Sequence, residues 1–213
     1  KKISLFKFFK IKNFFISCIY LIHFFLRIVL LKTIFLFKNI NYNHKNIFAS
    51  YFPFFPTNPT YNLENDCLYY SKMAKYFDKK KNIWILHSIK SININFYQYL
   101  DYIIKSDSNI TFIENEIKII DYLFFCCKFL FINLFNKYEY NSKMDKIYYK
   151  NLSSYLNYSL SYSLSSKNFV YANLCYYSYK SFYQKIKNNS NILYLFEMQL
   201  WETALNYAKN SNI

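Results

Sequence analysis

The sequence predicts an α/β fold in which a parallel, Rossmann-like sheet is flanked by helices. Three observations support this: short unbroken apolar runs, helical periodicity between them, and a long apolar stretch with scattered basic residues at the N-terminus. Unbroken apolar strands that alternate with helices are typical of a parallel sheet covered on both faces. We expect a hydrophobic, basic helical segment over residues 1–45 and an α/β domain over residues 46–213, which looks cut short at its C-terminus.

The N-terminal segment combines apolar character with positive charge. Residues 1–63 contain nine Lys and Arg and no acidic residue, which favours an anionic membrane surface. The apolar run from Phe14 to Phe37 could span a bilayer by length. It carries His23, Arg27 and Lys32, however, and each cation costs about 2.5–3.5 kcal/mol at the membrane centre. Three arrangements therefore stay open: an interfacial anchor, a helix pair packed on the domain, and a transmembrane helix.

Four apolar runs predict the strands, and periodic segments between them predict the helices. The strands are expected at 47–52, 83–86, 110–113 and 192–196. Helices are expected from residue 64 to 81, around 96–104, over 117–134, near 145–163, over 167–187 and after 197. In parallel sheets, ligands bind beyond the carboxyl ends of the strands. This rule selects Ser50, His87, Glu114 and Glu197.

Several classes of site are excluded or disfavoured by composition. The chain contains no glycine, so no Gly-rich phosphate-binding loop can form. No His, Cys and Asp cluster has zinc spacing, and we predict neither a metal nor a cofactor. The five cysteines contain no C-x-x-C pair, which fits reduced thiols in the cytosol. Aromatic residues are enriched throughout the chain, so their mixing with Lys does not indicate a nucleic-acid partner.

The densest group of candidate residues lies at the last strand-to-helix turn. Glu197, Gln199 and Glu202 place two carboxylates and an amide within six positions. Such acids can act in catalysis, and they also stabilise the N-terminus of a helix through its dipole. The residues alone leave both explanations open.

The run Glu197-Met198-Gln199-Leu200-Trp201-Glu202-Thr203-Ala204-Leu205, with Ala208, resembles the E-N-Q-x-W-E-x-A-L-x-x-A motif of a bacterial surface-carbohydrate (O-antigen) biosynthesis family related to GT-B glycosyltransferases. Ser50-Tyr51-Phe52 is similar to that family's S-Y-F strand, and Trp84 with Leu86-His87 is similar to its W-L-H strand end. Asn173-Leu174 matches an N-L pair of the family. Met198 departs from the motif, because the family has Asn there. The family also continues with a second half that is missing here.

The resemblance implies the N-terminal half of a GT-B-like protein that transfers a sugar from a nucleotide sugar to a lipid-linked glycan acceptor. It implies Glu197 as the catalytic base, with Glu202 beside it, and His87, Gln199, Ser50 and Trp201 as substrate-binding residues. The expected location is cytoplasmic, peripheral to the inner face of the membrane. Because the donor would mostly contact the other half, we expect residues 1–213 alone to be inactive. The alternative is a non-catalytic, membrane-associated α/β scaffold in which the carboxylates only cap a helix.

Overall fold

The computed structural model describes residues 2–43, 45–52, 76–77, 81–88, 104, 109–135, 159–186, 190–194 and 199–210. The elements follow in the order α1 (Lys2–Phe35), β1 (Asn46–Phe52), β2 (Asn82–Ser88), β3 (Ile110–Phe112), α2 (Ile113–Glu116), α3 (Ile119–Leu134), α4 (Lys167–Tyr183), β4 (Asn191–Leu193) and α5 (Leu200–Asn210). Residues 159–164 are also helical. The helices expected from residue 64 and around 96–104 lie almost wholly outside the described residues.

The four strands form one parallel sheet in the order β3-β2-β1-β4. This confirms the predicted parallel α/β architecture. β3 is one residue shorter than expected, because Ile113 already begins α2. At the start of the sheet Asn46 lies between Asn82 and Asn191, and amide hydrogen bonds of 3.0 and 3.4 Å join the three side chains. These bonds help to hold the strands in register.

Successive residues of each strand point to opposite faces of the sheet, and each face carries its own core. On one face, Leu31 of α1 packs with Phe48, Trp84 and Phe112. On the other face, α4 and α5 cover the remaining strand residues, and Trp201 lies in this second core. The apolar strands are therefore buried on both sides, as their unbroken composition predicts.

α1 is one continuous helix that packs against the α/β domain. Leu21, Phe24 and Ile28 form a third core with residues of α3 and α4. Lys10–Phe35 is apolar and long enough to cross a membrane, although only 28% of its most apolar stretch is buried within the protein. The division between a segment over 1–45 and a domain over 46–213 stays a prediction.

Candidate functional site

A buried polar cluster lies at the carboxyl edge of the sheet. His87 is the penultimate residue of β2, and Glu114 follows the end of β3 by two positions. Parallel neighbouring strands end at the same edge, which brings these two positions together. We call this group the edge cluster. Its members are Tyr20, Arg27, His87, Glu114, Tyr171, Cys175, Tyr179 and Trp201.

His87 is the centre of the edge cluster. Its Nε2 lies 2.6 Å from the Tyr179 hydroxyl, and its Nδ1 lies 2.9 Å from the Tyr171 hydroxyl. The Trp201 ring packs on the imidazole with 4.7 Å between ring centres. Both tyrosines come from α4, eight positions apart and therefore on one face of the helix. The geometry holds the imidazole in one orientation.

Burial keeps His87 uncharged at neutral pH. The side chain is fully enclosed, and this desolvation, with a smaller contribution from the positive charge of Arg27, lowers the pKa of His87 to about 3. A neutral imidazole has one N–H donor and one acceptor nitrogen. One ring nitrogen therefore donates to one tyrosine oxygen, and the other accepts from the second tyrosine hydroxyl.

Arg27 of α1 forms an ion pair with Glu114. Glu114 is buried, whereas the Arg27 side chain is about a third exposed, at 36%. Burial raises the pKa of the Glu114 carboxyl, and the adjacent guanidinium opposes that effect. Lys32 Nζ also donates a hydrogen bond to the carbonyl of Asn115, the residue after Glu114, over 2.9 Å. Of the three residues that looked costly for a membrane span, Arg27 and Lys32 thus contact α2, directly after β3.

The sequence motif that contains Trp201 and Glu202 packs over the edge cluster. Trp201 and Glu202 are both buried in the first turn of α5, and the Glu202 amide donates to the Gln199 carbonyl over 3.1 Å. Trp201 also contacts the Tyr194 ring edge to face. The Gln199 side chain is exposed. Trp201 and His87, which are 114 positions apart, therefore meet at one edge of the sheet.

Ser50 does not join this group. Ser50 is buried in β1. It lies two positions after Phe48, so its side chain points to the same face of the sheet as Phe48, which is the face opposite His87. Glu197 lies outside the described residues, so its proposed role as the base stays a prediction.

A second buried carboxylate belongs to a separate network. Glu116 accepts hydrogen bonds from Thr111, from the Tyr42 hydroxyl over 2.8 Å and from Lys185 Nζ over 2.7 Å. These bonds tie α2 to Tyr42 and to the residues that follow α4. The arrangement explains how a fully buried carboxylate is accommodated, and it is a structural network.

Sequence reasoning found His87, Trp201 and Glu114 but missed Arg27, Tyr171 and Tyr179 as members of the cluster. A lone cation in an apolar helix is a signal for a buried partner, so Arg27 could have been found. The tyrosines gave no comparable signal because the chain contains 25 of them.

The fold and the edge cluster define the class of this protein: a parallel α/β protein whose apolar N-terminal helix packs on its sheet and contributes a charged side chain to the carboxyl edge. No protein-family model, curated protein or solved structure matches this chain. Among the described residues, no group of three or more His, Cys, Asp and Glu side chains could hold a metal ion.

Proposed function

We propose that this chain is the acceptor-side, Rossmann-like half of a GT-B-like protein of surface-polysaccharide (O-antigen) biosynthesis. In this proposal, the whole protein transfers a sugar from a nucleotide sugar to a lipid-linked glycan at the cytoplasmic face of the membrane. The nucleotide sugar is the donor substrate, and we infer no cofactor.

The observation that supports this proposal best is the contact between Trp201 and His87. The two residues belong to the two sequence motifs that resemble the carbohydrate-biosynthesis family, and they pack 4.7 Å apart between ring centres. Their meeting point is the carboxyl edge of a parallel sheet, where ligands bind in open α/β folds. Gln199 directly precedes the helix of Trp201, and Glu197 lies two positions earlier in the sequence.

Each residue has a distinct role in the proposed reaction. Glu197 removes the proton from the acceptor hydroxyl as that oxygen attacks the anomeric carbon of the sugar, and the bond from that carbon to the nucleotide phosphate breaks to release the nucleotide. The exposed Gln199 side chain binds the acceptor, whereas the buried Trp201, Glu202 and His87 hold the turn in position. The fully enclosed His87 is too weak a base at neutral pH to compete with a carboxylate for that proton.

A second function is favoured by the burial of the edge cluster. His87 is engaged by two tyrosines and Trp201, and Glu114 is paired with Arg27. In this second function, the edge cluster only holds α1, α4 and α5 together at the carboxyl edge of the sheet. In that case the chain is a non-catalytic, membrane-associated scaffold, and Glu197 only stabilises the helix N-terminus.

Replacing Glu197 by Gln in the whole protein separates the two functions. If Glu197 is the base, transfer of labelled sugar from a panel of nucleotide sugars to native membranes should fall by about 10²–10⁴-fold, with the melting temperature nearly unchanged. The charge at a helix N-terminus is worth only about 0.3–1 kcal/mol of stability.

Gln199→Ala is the matched variant, because it alters an exposed side chain of the same turn that is not the base. We expect it to raise KM more than it lowers kcat. Near-normal transfer by Glu197→Gln would contradict the catalytic role. A whole protein that binds none of the nucleotide sugars in calorimetry would favour the scaffold.

A further inference from the structure

α1 carries two apolar stripes on opposite sides. The inner stripe contains Leu21, Phe24, Ile28 and Leu31, which are buried against the rest of the protein. The outer stripe contains Ile11, Phe15, Ile19, Ile22, Leu26 and Val29, which are exposed. Both stripes repeat every three or four residues, as one side of a helix requires. One stripe thus packs in the protein, and the other leaves large apolar side chains uncovered.

α3 repeats this arrangement. Tyr122, Phe125 and Phe129 are buried. The outer stripe of α3 contains Ile120, Leu123, Phe124, Leu130, Phe131 and Leu134, all exposed. A solvated helix normally places polar residues on this side.

α1 and α3 contact each other as an antiparallel helix pair. Phe14 stacks on Phe129 at 5.7 Å, whereas Phe25 stacks on Tyr122 at 5.5 Å, so the helices run in opposite directions. At 100° per residue, each outer stripe lies on the side of its helix that points away from the buried residues. We call the two exposed stripes together the apolar front.

Polar contacts hold α1 along the protein. The Ser17 hydroxyl donates to the Ser165 carbonyl over 2.8 Å, Arg27 pairs with Glu114, and Lys32 bonds Asn115. A helix that crossed a bilayer at this length would take Ser165, Glu114 and their neighbours into the lipid, where burying charge and polar groups is costly. The described part of α1 therefore lies along the domain.

The charge distribution favours an anionic surface as the partner of the apolar front. Residues 1–63 carry nine cations and no acid, and exposed Lys12 and Lys128 lie on the two helices. A second copy would bring the basic residues of two α1 helices together, which opposes pairing. An anionic bilayer supplies both the opposite charge and an apolar interior.

We propose that the apolar front is a membrane-docking surface, in which α1 and α3 lie in the plane of an anionic bilayer and bury their outer stripes among the acyl chains. α3 is thus an equal part of the anchor, and neither helix spans the membrane. This docking does not depend on the transfer reaction proposed above.

Quenching by brominated lipids tests the position of α3. Phe124→Trp in the otherwise unchanged chain should lose fluorescence strongly with anionic vesicles whose lipids carry bromine high in the acyl chain, and less with bromine near the bilayer centre. Tyr207→Trp is the control, because Tyr207 is an exposed aromatic residue on α5. Equal quenching of both variants, above the contribution of the native tryptophans, would overturn the proposal.

Flotation measures the contribution of the stripe to binding. Phe124→Glu/Phe131→Glu should lower partitioning onto phosphatidylglycerol vesicles by roughly tenfold or more, since binding scales with the apolar area buried. Tyr207→Glu, which adds charge elsewhere, should leave partitioning within about twofold. Undiminished flotation of the double variant would refute the role of α3.

Sedimentation equilibrium without lipid tests whether a second copy of the chain, rather than a bilayer, binds the apolar front. A concentration-dependent dimer that the double variant abolishes, together with an unquenched Phe124→Trp, would assign the front to a second copy and reject the bilayer. If the double variant fails to fold, as judged by circular dichroism, the quenching of Phe124→Trp decides the question alone.

Discussion

At the residue scale, the surroundings of His87 change the charge state and the chemical role of its side chain. A histidine at a strand end is a natural candidate for a base or a phosphate contact. Here the imidazole is enclosed by Tyr171, Tyr179 and Trp201, and burial lowers its pKa to about 3. It is therefore uncharged in the folded protein at neutral pH.

The lowered pKa of His87 predicts acid sensitivity. Between pH 6.5 and about 3, the unfolded chain binds a proton at His87 that the folded protein does not. The stability present above pH 6.5 should thus fall as the pH drops, by up to about 1.4 kcal/mol per pH unit from this residue. In urea unfolding between pH 7 and 4.5, the unfolding free energy of His87→Gln should therefore fall less steeply with decreasing pH than that of the unaltered protein.

His23→Gln is the control for that measurement, because His23 is exposed on α1. It should retain the slope of the unaltered protein. The raised pKa of Glu114 acts in the opposite direction, since its contribution to stability is lost as the pH rises, and it is present in all three proteins. Parallel stability curves for His87→Gln and the unaltered protein would contradict the assignment.

At the element scale, α4 supplies the two tyrosines that hold His87, and its start is set by a cap. The Ser166 hydroxyl oxygen accepts from the Phe169 amide over 3.2 Å, and Ser166 has extended backbone angles. This is the usual geometry of a serine N-cap. The cap fixes where α4 begins and thus where Tyr171 lies.

Removing this cap should lower stability measurably. Ser166→Ala is expected to cost about 1 kcal/mol, which lowers the melting temperature of a domain of this size by about 2–4 °C. Ser163→Ala is the matched control, because Ser163 is an exposed helical residue whose carbonyl, not its side chain, accepts the Ser166 hydroxyl. Equal melting temperatures for the two variants would show that the cap contributes nothing.

α3 shows what periodicity can and cannot determine. The spacing of Ile120, Phe124, Cys127, Phe131 and Leu134 correctly predicts a helix. These residues are exposed, however, and the side that packs is formed by Tyr122, Phe125 and Phe129. An apolar helix does not reveal which of its sides faces the protein.

At the scale of the whole molecule, the basic excess should make membrane binding electrostatic as well as apolar. Lys12 and Lys128 are exposed on the two helices of the apolar front. Each basic residue near an anionic surface is worth about 1 kcal/mol. Lys12→Gln/Lys128→Gln should therefore partition about 30-fold more weakly onto anionic vesicles, measured by flotation at low salt.

Raising the salt concentration should shrink the difference between the double lysine variant and the unaltered protein, because ions screen exposed charges. Lys209→Gln removes an exposed cation from α5 and should bind nearly normally. Binding that is equal on neutral and anionic vesicles would argue against a role for charge. Deleting residues 1–45 is a poor test, since α1 contributes Leu21, Phe24, Ile28 and Leu31 to the cores.

The sequence by itself determined the parallel α/β architecture, the approximate positions of the four strands and the basic, apolar N-terminal segment, although β4 (Asn191–Leu193) is shorter than the predicted 192–196. These follow from local patterns, because a strand buried on both faces must be apolar throughout. It also placed His87 and Glu114 at strand ends, where a general rule for parallel sheets applies.

Only the tertiary structure decided which of these residues meet. Arg27 pairs with Glu114 and Trp201 packs on His87 across long separations in the chain, whereas Ser50 lies on the other face of the sheet. Tertiary packing likewise chose which stripes of α1 and α3 are buried. Such choices depend on the packing of whole faces against each other, and a local pattern contains no information on which face a distant element will cover.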